Sequence, residues 1–432
     1  MQTILFGIAN RARISKEHRF GGVYTLLNED LLRWSFYQLN RKAAPGVDDV
    51  TWDEYEACLD TNLQNLVERL KRKTYRTRYV KRHYISKGNG KRRPLGIPVV
   101  EDKIVQYAAK MILEFIYEQD FIDYSFAYRP ERSAKEAAGE LKFKLQFAPL
   151  SWVVEADIKG FFDNIDHEWM LRMLGERIND RAFVNLISKW LKAGVLEDIH
   201  TVIHPGAGTP QGGVISPVLA NIYLHYALDL WFERSVTKRV KGECLLVRYA
   251  DDFVCAFRYK ADAESFYKEQ LQKRLAKFNL ELAPEKTQMI RFSRFEIENG
   301  RSFDFLGFEF RWGLNRQKRP QLKQRTARKK QRAACSAIKV WIKNNRNKGL
   351  RPLMKTLKRK LQGHWNYYGV HHNSESLWAF YRYTCNVVLK WLNRRSQRRS
   401  FTWVRFLAML ERYDIPKPRI TEKPSRRRYS EA

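Results

Sequence analysis

Two adjacent carboxylates, bounded on both sides by apolar and aromatic runs, leave this chain little local freedom. Cys244-Leu245-Leu246-Val247 comes before Tyr249-Ala250-Asp251-Asp252, and Phe253-Val254-Cys255-Ala256-Phe257 comes after. Both runs read as short buried strands, which puts the acids at the tip of a hairpin. Like charges held side by side repel and raise each other's pKa. A hard divalent cation such as Mg²⁺ removes that cost, because it prefers carboxylate oxygen and brings substrate phosphates with it. An isolated Ala-Asp-Asp is as well explained by a surface turn, where Asp is common. The rest of the chain has to decide between the two.

A third acid stands in a similar position. Trp152-Val153-Val154-Glu155-Ala156 reads as a strand that Asp157 ends, followed by Ile158-Lys159-Gly160-Phe161-Phe162-Asp163. Alone, Asp157 could equally be a helix cap. If the strands are neighbours in one sheet, Asp157, Asp251 and Asp252 converge, and the result is a two-cation site for in-line phosphoryl transfer. Upstream, Gly88-Asn89-Gly90 is a hairpin signal. It lies among Lys87, Lys91, Arg92 and Arg93, a set able to clamp a triphosphate or merely to form a solvated basic loop. Thr209-Pro210-Gln211-Gly212-Gly213 allows close backbone approach to a ligand, and Ser216-Pro217 reads as a helix cap followed by a first-turn proline. Phe303-Asp304-Phe305-Leu306-Gly307-Phe308 reads as a hairpin with a tight bend.

Charge narrows the partner. The 432 residues carry 80 Lys and Arg against 47 Asp and Glu, a net charge of +33. So large an excess calls for a polyanion, either nucleic acid or an anionic membrane surface. No run approaches the length of a membrane span, and the opening residues are a poor match to a targeting peptide. Between 311 and 374 there is no acidic residue, while 19 are Lys or Arg. Apolar residues there keep helical spacing, and Trp365, Tyr367, Tyr368, Trp378, Phe380, Tyr381 and Tyr383 are interleaved. That mixture suits phosphate contact with base stacking, or a helical bundle with an aromatic core and a solvated basic face. A boundary is expected within 313–324. The five cysteines are scattered, with no spacing for zinc or a redox pair.

Taken together and in order, these motifs resemble the group II intron-encoded reverse transcriptases, which also act as maturases. The likeness rests on Tyr249-Ala250-Asp251-Asp252, Ala156-Asp157-Ile158-Lys159-Gly160-Phe161-Phe162-Asp163, Thr209-Pro210-Gln211-Gly212-Gly213 with Ser216-Pro217, and the hairpin from Ile85 through Pro98. Phe305-Leu306-Gly307-Phe308 and Gly363-His364-Trp365-Asn366-Tyr367-Tyr368 add to it. The resemblance implies an α+β right-hand polymerase, with fingers and an antiparallel palm sheet followed by an α-helical thumb. The expected divisions are a helical N-terminal extension at 1–65, fingers and palm at 66–312, a thumb or maturase RNA-binding domain at 313–416, and a loose basic tail at 417–432.

By the same resemblance, Asp157, Asp251 and Asp252 with the Ile158 carbonyl would hold two Mg²⁺ ions. Lys87 and Arg93 would contact the incoming dNTP. Phe162 would exclude a ribose 2′-hydroxyl, Gln211 would pack near the nascent base pair, and Lys286 would lie near the leaving pyrophosphate. Leu306-Gly307 would grip the primer. Implied partners are group II intron RNA, a target DNA or primer strand and dNTPs, with no membrane, in a bacterial cytoplasm. Many relatives continue into a DNA-binding segment and a Cys-rich nuclease domain. Ending at Ala432 without them, this chain is expected to prime from nicks or forks. Two other readings are an RNA-binding splicing factor with a vestigial polymerase, and a relative recruited to host defence or repair.

Overall fold

The computed structural model describes residues 2–86, 92–196, 202–203, 207–209, 212–395 and 401–422. Lys87 and Gln211 lie outside them, as does the side chain of Arg93. Two compact units form, residues 1–137 with 154–289 and residues 138–153 with 290–432.

The first unit opens with α1 (Gln2–Ile14), α2 (Glu29–Gln38), α3 (Trp52–Ala57) and α4 (Leu59–Lys71), as the helical spacing suggests. Local chemistry sets the starts. The Asn28 side chain accepts the Leu31 N–H at 3.0 Å, and Thr51 with Glu54 makes a reciprocal capping box. On α4, Leu59, Leu63, Leu66, Val67 and Leu70 are buried as one stripe. Then follow β1 (Val80–Ser86), β2 (Arg92–Ile97), α5 (Val100–Tyr117), α6 (Ala134–Phe147), most of which belongs to the second unit, and β3 (Trp152–Asp157). Next come α7 (His167–Gly175), α8 (Arg181–Leu191), β4 (Val195–Leu196), β5 (Val202–Ile203) and α9 (Ser216–Leu224). α9 runs on through π-helical turns into α10 (Thr237–Arg239). The unit closes with β6 (Cys244–Tyr249), β7 (Asp252–Phe257), α11 (Lys260–Ser265), α12 (Leu271–Ala276) and β8 (Gln288–Arg291).

Two sheets organise it. One has the order β2-β1-β4-β5, with β1 and β2 antiparallel from Lys81 opposite Ile97 to Ser86 opposite Arg92. The other has the order β6-β7-β3-β8, and β7, which begins with Asp252, lies directly beside β3, which ends with Asp157. One expectation fails by a residue. Ser216 is not the cap but already helical, and its hydroxyl pairs with that of Thr209 at 2.8 Å.

The second unit holds an antiparallel sheet of β9 (Ser302–Phe305), β10 (Phe308–Leu314) and β11 (Pro320–Thr326). Four helices follow: α13 (Arg328–Asn345), α14 (Leu350–Tyr368), α15 (Ser374–Leu392) and α16 (Trp403–Arg412). Their shared core includes Leu353, Leu357, Leu361, Trp365, Phe380, Val388 and Phe406.

The expected boundary at 313–324 is instead a hairpin, with Arg311 opposite Lys323 and Gly313 opposite Gln321. The composition shift there reports which faces meet solvent, not where a unit ends. Along β11, Leu322, Gln324 and Thr326 turn inward, while Lys323 and Arg325 alternate with them. The tail is also not loose as far as residue 422. The N–H groups of Thr421 and Glu422 donate to the Gly369 carbonyl at 2.8 and 2.9 Å, and Trp365 Nε1 donates to the Pro416 carbonyl at 3.1 Å. All five cysteines are free thiols.

Candidate active site

The turn that carries the paired acids is as short as a hairpin turn can be. Tyr249 pairs with Asp252 across β6 and β7, leaving Ala250 and Asp251 as the two loop residues. Ala250 adopts φ +57°, a left-handed conformation that costs an L-residue roughly 1–2 kcal/mol. Such strain persists only where the surroundings over-determine it.

Here they do. Arg248, the residue before Tyr249, is fully buried and every guanidinium N–H has an acceptor. It donates to Asp229 Oδ1 at 2.7 Å and Oδ2 at 2.5 Å, to Asn221 Oδ1 at 3.2 Å, to Ser125 Oγ at 2.7 Å and to the Ala250 carbonyl at 3.2 Å. Asn221 in turn donates to the Ala127 carbonyl at 2.6 Å. Residues 124–126 pair with the backbone of Arg248. The Arg248 N–H donates to Tyr124 and the Phe126 N–H to Arg248. Sequence reasoning passed over Arg248 and Asp229. The available signal was a lone arginine inside an otherwise apolar strand, since a buried charge has to be paired.

The third acid joins the other two. Asp157 is 8% exposed at the end of β3, and its carboxyl group neighbours that of Asp252 at the start of β7. The pKa of Asp252 is pushed up, first by crowding that displaces solvent from one side of its carboxyl, then by Asp157 and Asp251. Its other side opens to solvent. Lys286, on a 3₁₀ turn at Pro284–Lys286, places Nζ 2.5 Å from Asp157 Oδ2. Partial burial alone would lower the lysine pKa, but the hydrogen bond to Asp157 and the charges of Asp157, Asp252 and Asp251 raise it overall.

This donor set fits a hard cation in kind. It is all oxygen, and the Lys286 ammonium group already lies against its negative charge. Ile158 opposes Leu282, with bonds running from Lys159 N–H to Glu281 and from Ala283 N–H to Asp157. The peptide groups of Ile158 itself therefore face the other side of the strand. Among the described residues, no group of three His, Cys, Asp or Glu side chains is arranged to hold a metal ion as it stands. Lys286 is the cation that Asp157 holds.

Around the acids, Phe162 sits on the 3₁₀ turn Phe161–Asp163 with 9% of its surface exposed. The Phe162 carbonyl accepts the Thr209 N–H at 2.8 Å, and the Ile165 carbonyl accepts the Gly208 N–H at 2.7 Å. At Gly212, φ +112°, a Cβ would come within 2.7 Å of the Gly96 carbonyl, so only glycine lets this loop approach β2. The Val214 N–H donates to Gln106 Oε1 of α5 at 3.0 Å. The stretches on either side of Gln211 are thus anchored, although Gln211 lies outside the described residues. Leu306-Gly307 is the two-residue turn between β9 and β10 in the second unit.

Acids gathered from a hairpin turn and a neighbouring strand, a preceding basic hairpin and a following helical bundle make up the right-hand polymerase architecture. Residues 85–310 match the reverse transcriptase (RNA-dependent DNA polymerase) family, over more than half of the chain. The group II intron-encoded protein LtrA of Lactococcus lactis subsp. cremoris is 34% identical over 365 residues, covering 67% of this chain and 60% of that protein. Protein YkfC of Escherichia coli K12 is 36% identical over 254 residues, covering 52% of this chain and 66% of that one. The chain belongs to the reverse transcriptase family, and its likeness within that family is to the group II intron-encoded proteins. It spans about three fifths to two thirds of the length of these two relatives. Members of the family use divalent metal ions.

Proposed function

We propose that this chain is an RNA-directed DNA polymerase that also binds group II intron RNA to assist its splicing and mobility, in the cytoplasm of a bacterium. The observation that carries the reading is that β7, which begins with Asp252, lies beside β3, which ends with Asp157, so that two acids far apart in sequence meet. Asp157, Asp251, Asp252 and the Ile158 carbonyl would hold two Mg²⁺ ions. When bound, such ions activate a primer 3′-hydroxyl and steady the triphosphate.

The chain's own groups do the rest. Lys87 and Arg93 neutralise the incoming triphosphate, and Gln211 packs against the nascent base pair. Phe162 presents a rigid ring at the position of the sugar 2′ carbon and so selects deoxynucleotides. Lys286 supplies a positive charge to the departing pyrophosphate once Asp157 is otherwise engaged. Leu306-Gly307 supports the primer end. The RNA-binding thumb corresponds to α13–α16, which follow the β10–β11 hairpin. The thumb reading draws on Lys339, Lys343, Lys355, Lys358, Arg359 and Lys360, which are exposed on α13 and α14.

Primer extension on an RNA template with Mg²⁺ and dNTPs tests the reading, with Asp251→Ala alongside. Extension by the parent and none by the variant is expected. If neither extends a primer while both bind intron RNA tightly, the chain is a splicing factor without polymerase activity.

A further inference from the structure

The Leu306-Gly307 turn is held in a high-energy shape by the last turn of α14. Phe305 pairs with Phe308, so the loop has only two residues, and both are left-handed, Leu306 at φ 51° and Gly307 at φ 80°. Glycine and asparagine are the usual occupants of such a turn, and a leucine there carries strain. Each carbonyl of the turn has an assigned donor. The Tyr367 hydroxyl donates to the Leu306 carbonyl at 2.8 Å, and the Ala327 N–H donates to the Gly307 carbonyl at 2.9 Å.

Aromatic contacts fix the same spot. The Tyr367 ring lies parallel to Phe308, with centroids 5.6 Å apart and planes at 7°. Tyr368 meets Phe308 edge-on at 5.4 Å, and its hydroxyl lies 3.0 Å from where a Cβ on residue 307 would be. The end of α14 is itself immobilised. Buried Asn373 accepts the Thr326 N–H at 2.8 Å, and its amide donates to Thr326 Oγ1 at 2.9 Å and to the Tyr368 carbonyl at 2.8 Å. Tyr367 remains 37% exposed, more than a core role for its ring requires.

We infer that Tyr367 is a positioning residue for the primer end, acting through its hydrogen bond to the Leu306 carbonyl. The inference rests on reading Leu306-Gly307 as the primer-contacting turn. Tyr367 touches no reacting atom. It sets the height and direction of a turn that would otherwise relax toward an unstrained shape. It also makes a helix of the acid-free stretch responsible for where the primer terminus sits.

Tyr367→Phe removes only the hydroxyl and keeps the stack on Phe308, so the fold and the melting temperature should be unchanged. Two measurements then apply. On a saturating RNA–DNA template–primer, kcat should fall about fivefold, the worth of one neutral hydrogen bond, with the KM for dNTP unmoved. With 2-aminopurine at the primer 3′ end, the variant complex should fluoresce more brightly than the parent, because the terminal base is less firmly stacked. Equal fluorescence from both proteins overturns the positioning role, whether or not either extends a primer. If the parent extends no primer yet the fluorescence differs, positioning stands and the polymerase reading fails.

Discussion

Arg248 and Asp229 face each other with no solvent exposure on either side chain, 2.5 Å apart, directly beneath the turn that presents Asp251 and Asp252. Burial pushes Asp229 toward protonation, and the guanidinium opposes it. Breaking a buried pair from one side strands the other charge. Arg248→Met should therefore cost about 3–5 kcal/mol of unfolding free energy. Adding Asp229→Leu should restore most of that stability, because the orphan charge is gone. Primer extension should stay low in the double variant, since the Ala250 carbonyl and Ser125 still lack their donor. Denaturant melts beside extension rates decide it, and full recovery of rate would reduce the pair to a core feature.

Lys286 makes the metal testable without an activity assay. Lys286→Met removes the ammonium group that lies on Asp157 and faces the charges of Asp252 and Asp251. In EDTA the variant should melt below the parent. Added Mg²⁺ should raise its melting temperature by more than it raises the parent's, as expected of a ligand that binds only the folded state. Equal Mg²⁺ increments would mean that Lys286 and the ion do not answer the same charge.

His225 gives a pH prediction. It is buried against Phe121 and Tyr226, and its Nδ1 has no hydrogen-bond partner among the described residues. Burial first, then Arg248, Arg234, Arg129 and Lys16, lower its pKa from 6.5 to about 3. The folded protein thus keeps the ring neutral at pH values where the unfolded chain protonates it. Its contribution to stability is whole above pH 6.5 and is lost as pH falls from there toward about 3. The slope is at most about 1.4 kcal/mol per pH unit. His225→Phe should flatten that acid limb by close to one proton's worth, as read from denaturation midpoints at about pH 5 and about pH 7.

Phe162 should govern sugar choice. Its ring is 9% exposed and its backbone is tied to Thr209, so it cannot swing aside cheaply. Phe162→Val should lower the preference for dNTP over rNTP by roughly tenfold or more. Single-nucleotide incorporation with matched dNTP and rNTP measures it.

The exposed bases of α14 should set the salt response. Replacing Lys355, Lys358 and Arg359 with Gln should weaken RNA binding at low salt. It should also make the log K against log salt slope shallower by about 0.7 for each phosphate that is no longer neutralised. An unchanged slope would move the RNA footprint elsewhere.

How much of this could be read beforehand varies by kind. The β6–β7 and β9–β10 hairpins and the β1–β2 pair are legible, because strand periodicity and turn residues act over a few positions. Charge does not place a boundary at 313–324, because Arg316, Lys318 and Arg319 lie in the turn that joins β10 to β11 and Lys323 lies on β11. The residues from 417 to 422 are misread because a basic, proline-bearing stretch gives no hint that Gly369 offers its carbonyl to it. A glycine is needed there, since a Cβ would fall 2.4 Å from the Trp365 carbonyl. Arg248 is the most instructive omission, as its importance lies wholly in partners at 125, 221 and 229.

The sequence by itself determined that Asp251 and Asp252 sit together on a tight turn between buried strands, and that a long basic helical region follows. Those are consequences of neighbouring residues and of composition. Only the tertiary structure decided that Asp157 reaches Asp252, that Lys286 lies on Asp157, and that Tyr367 holds the Leu306 turn. Contacts of that kind depend on which strands share a sheet and which helix ends where. That outcome is fixed by packing over the whole unit, and no local stretch of the chain encodes it.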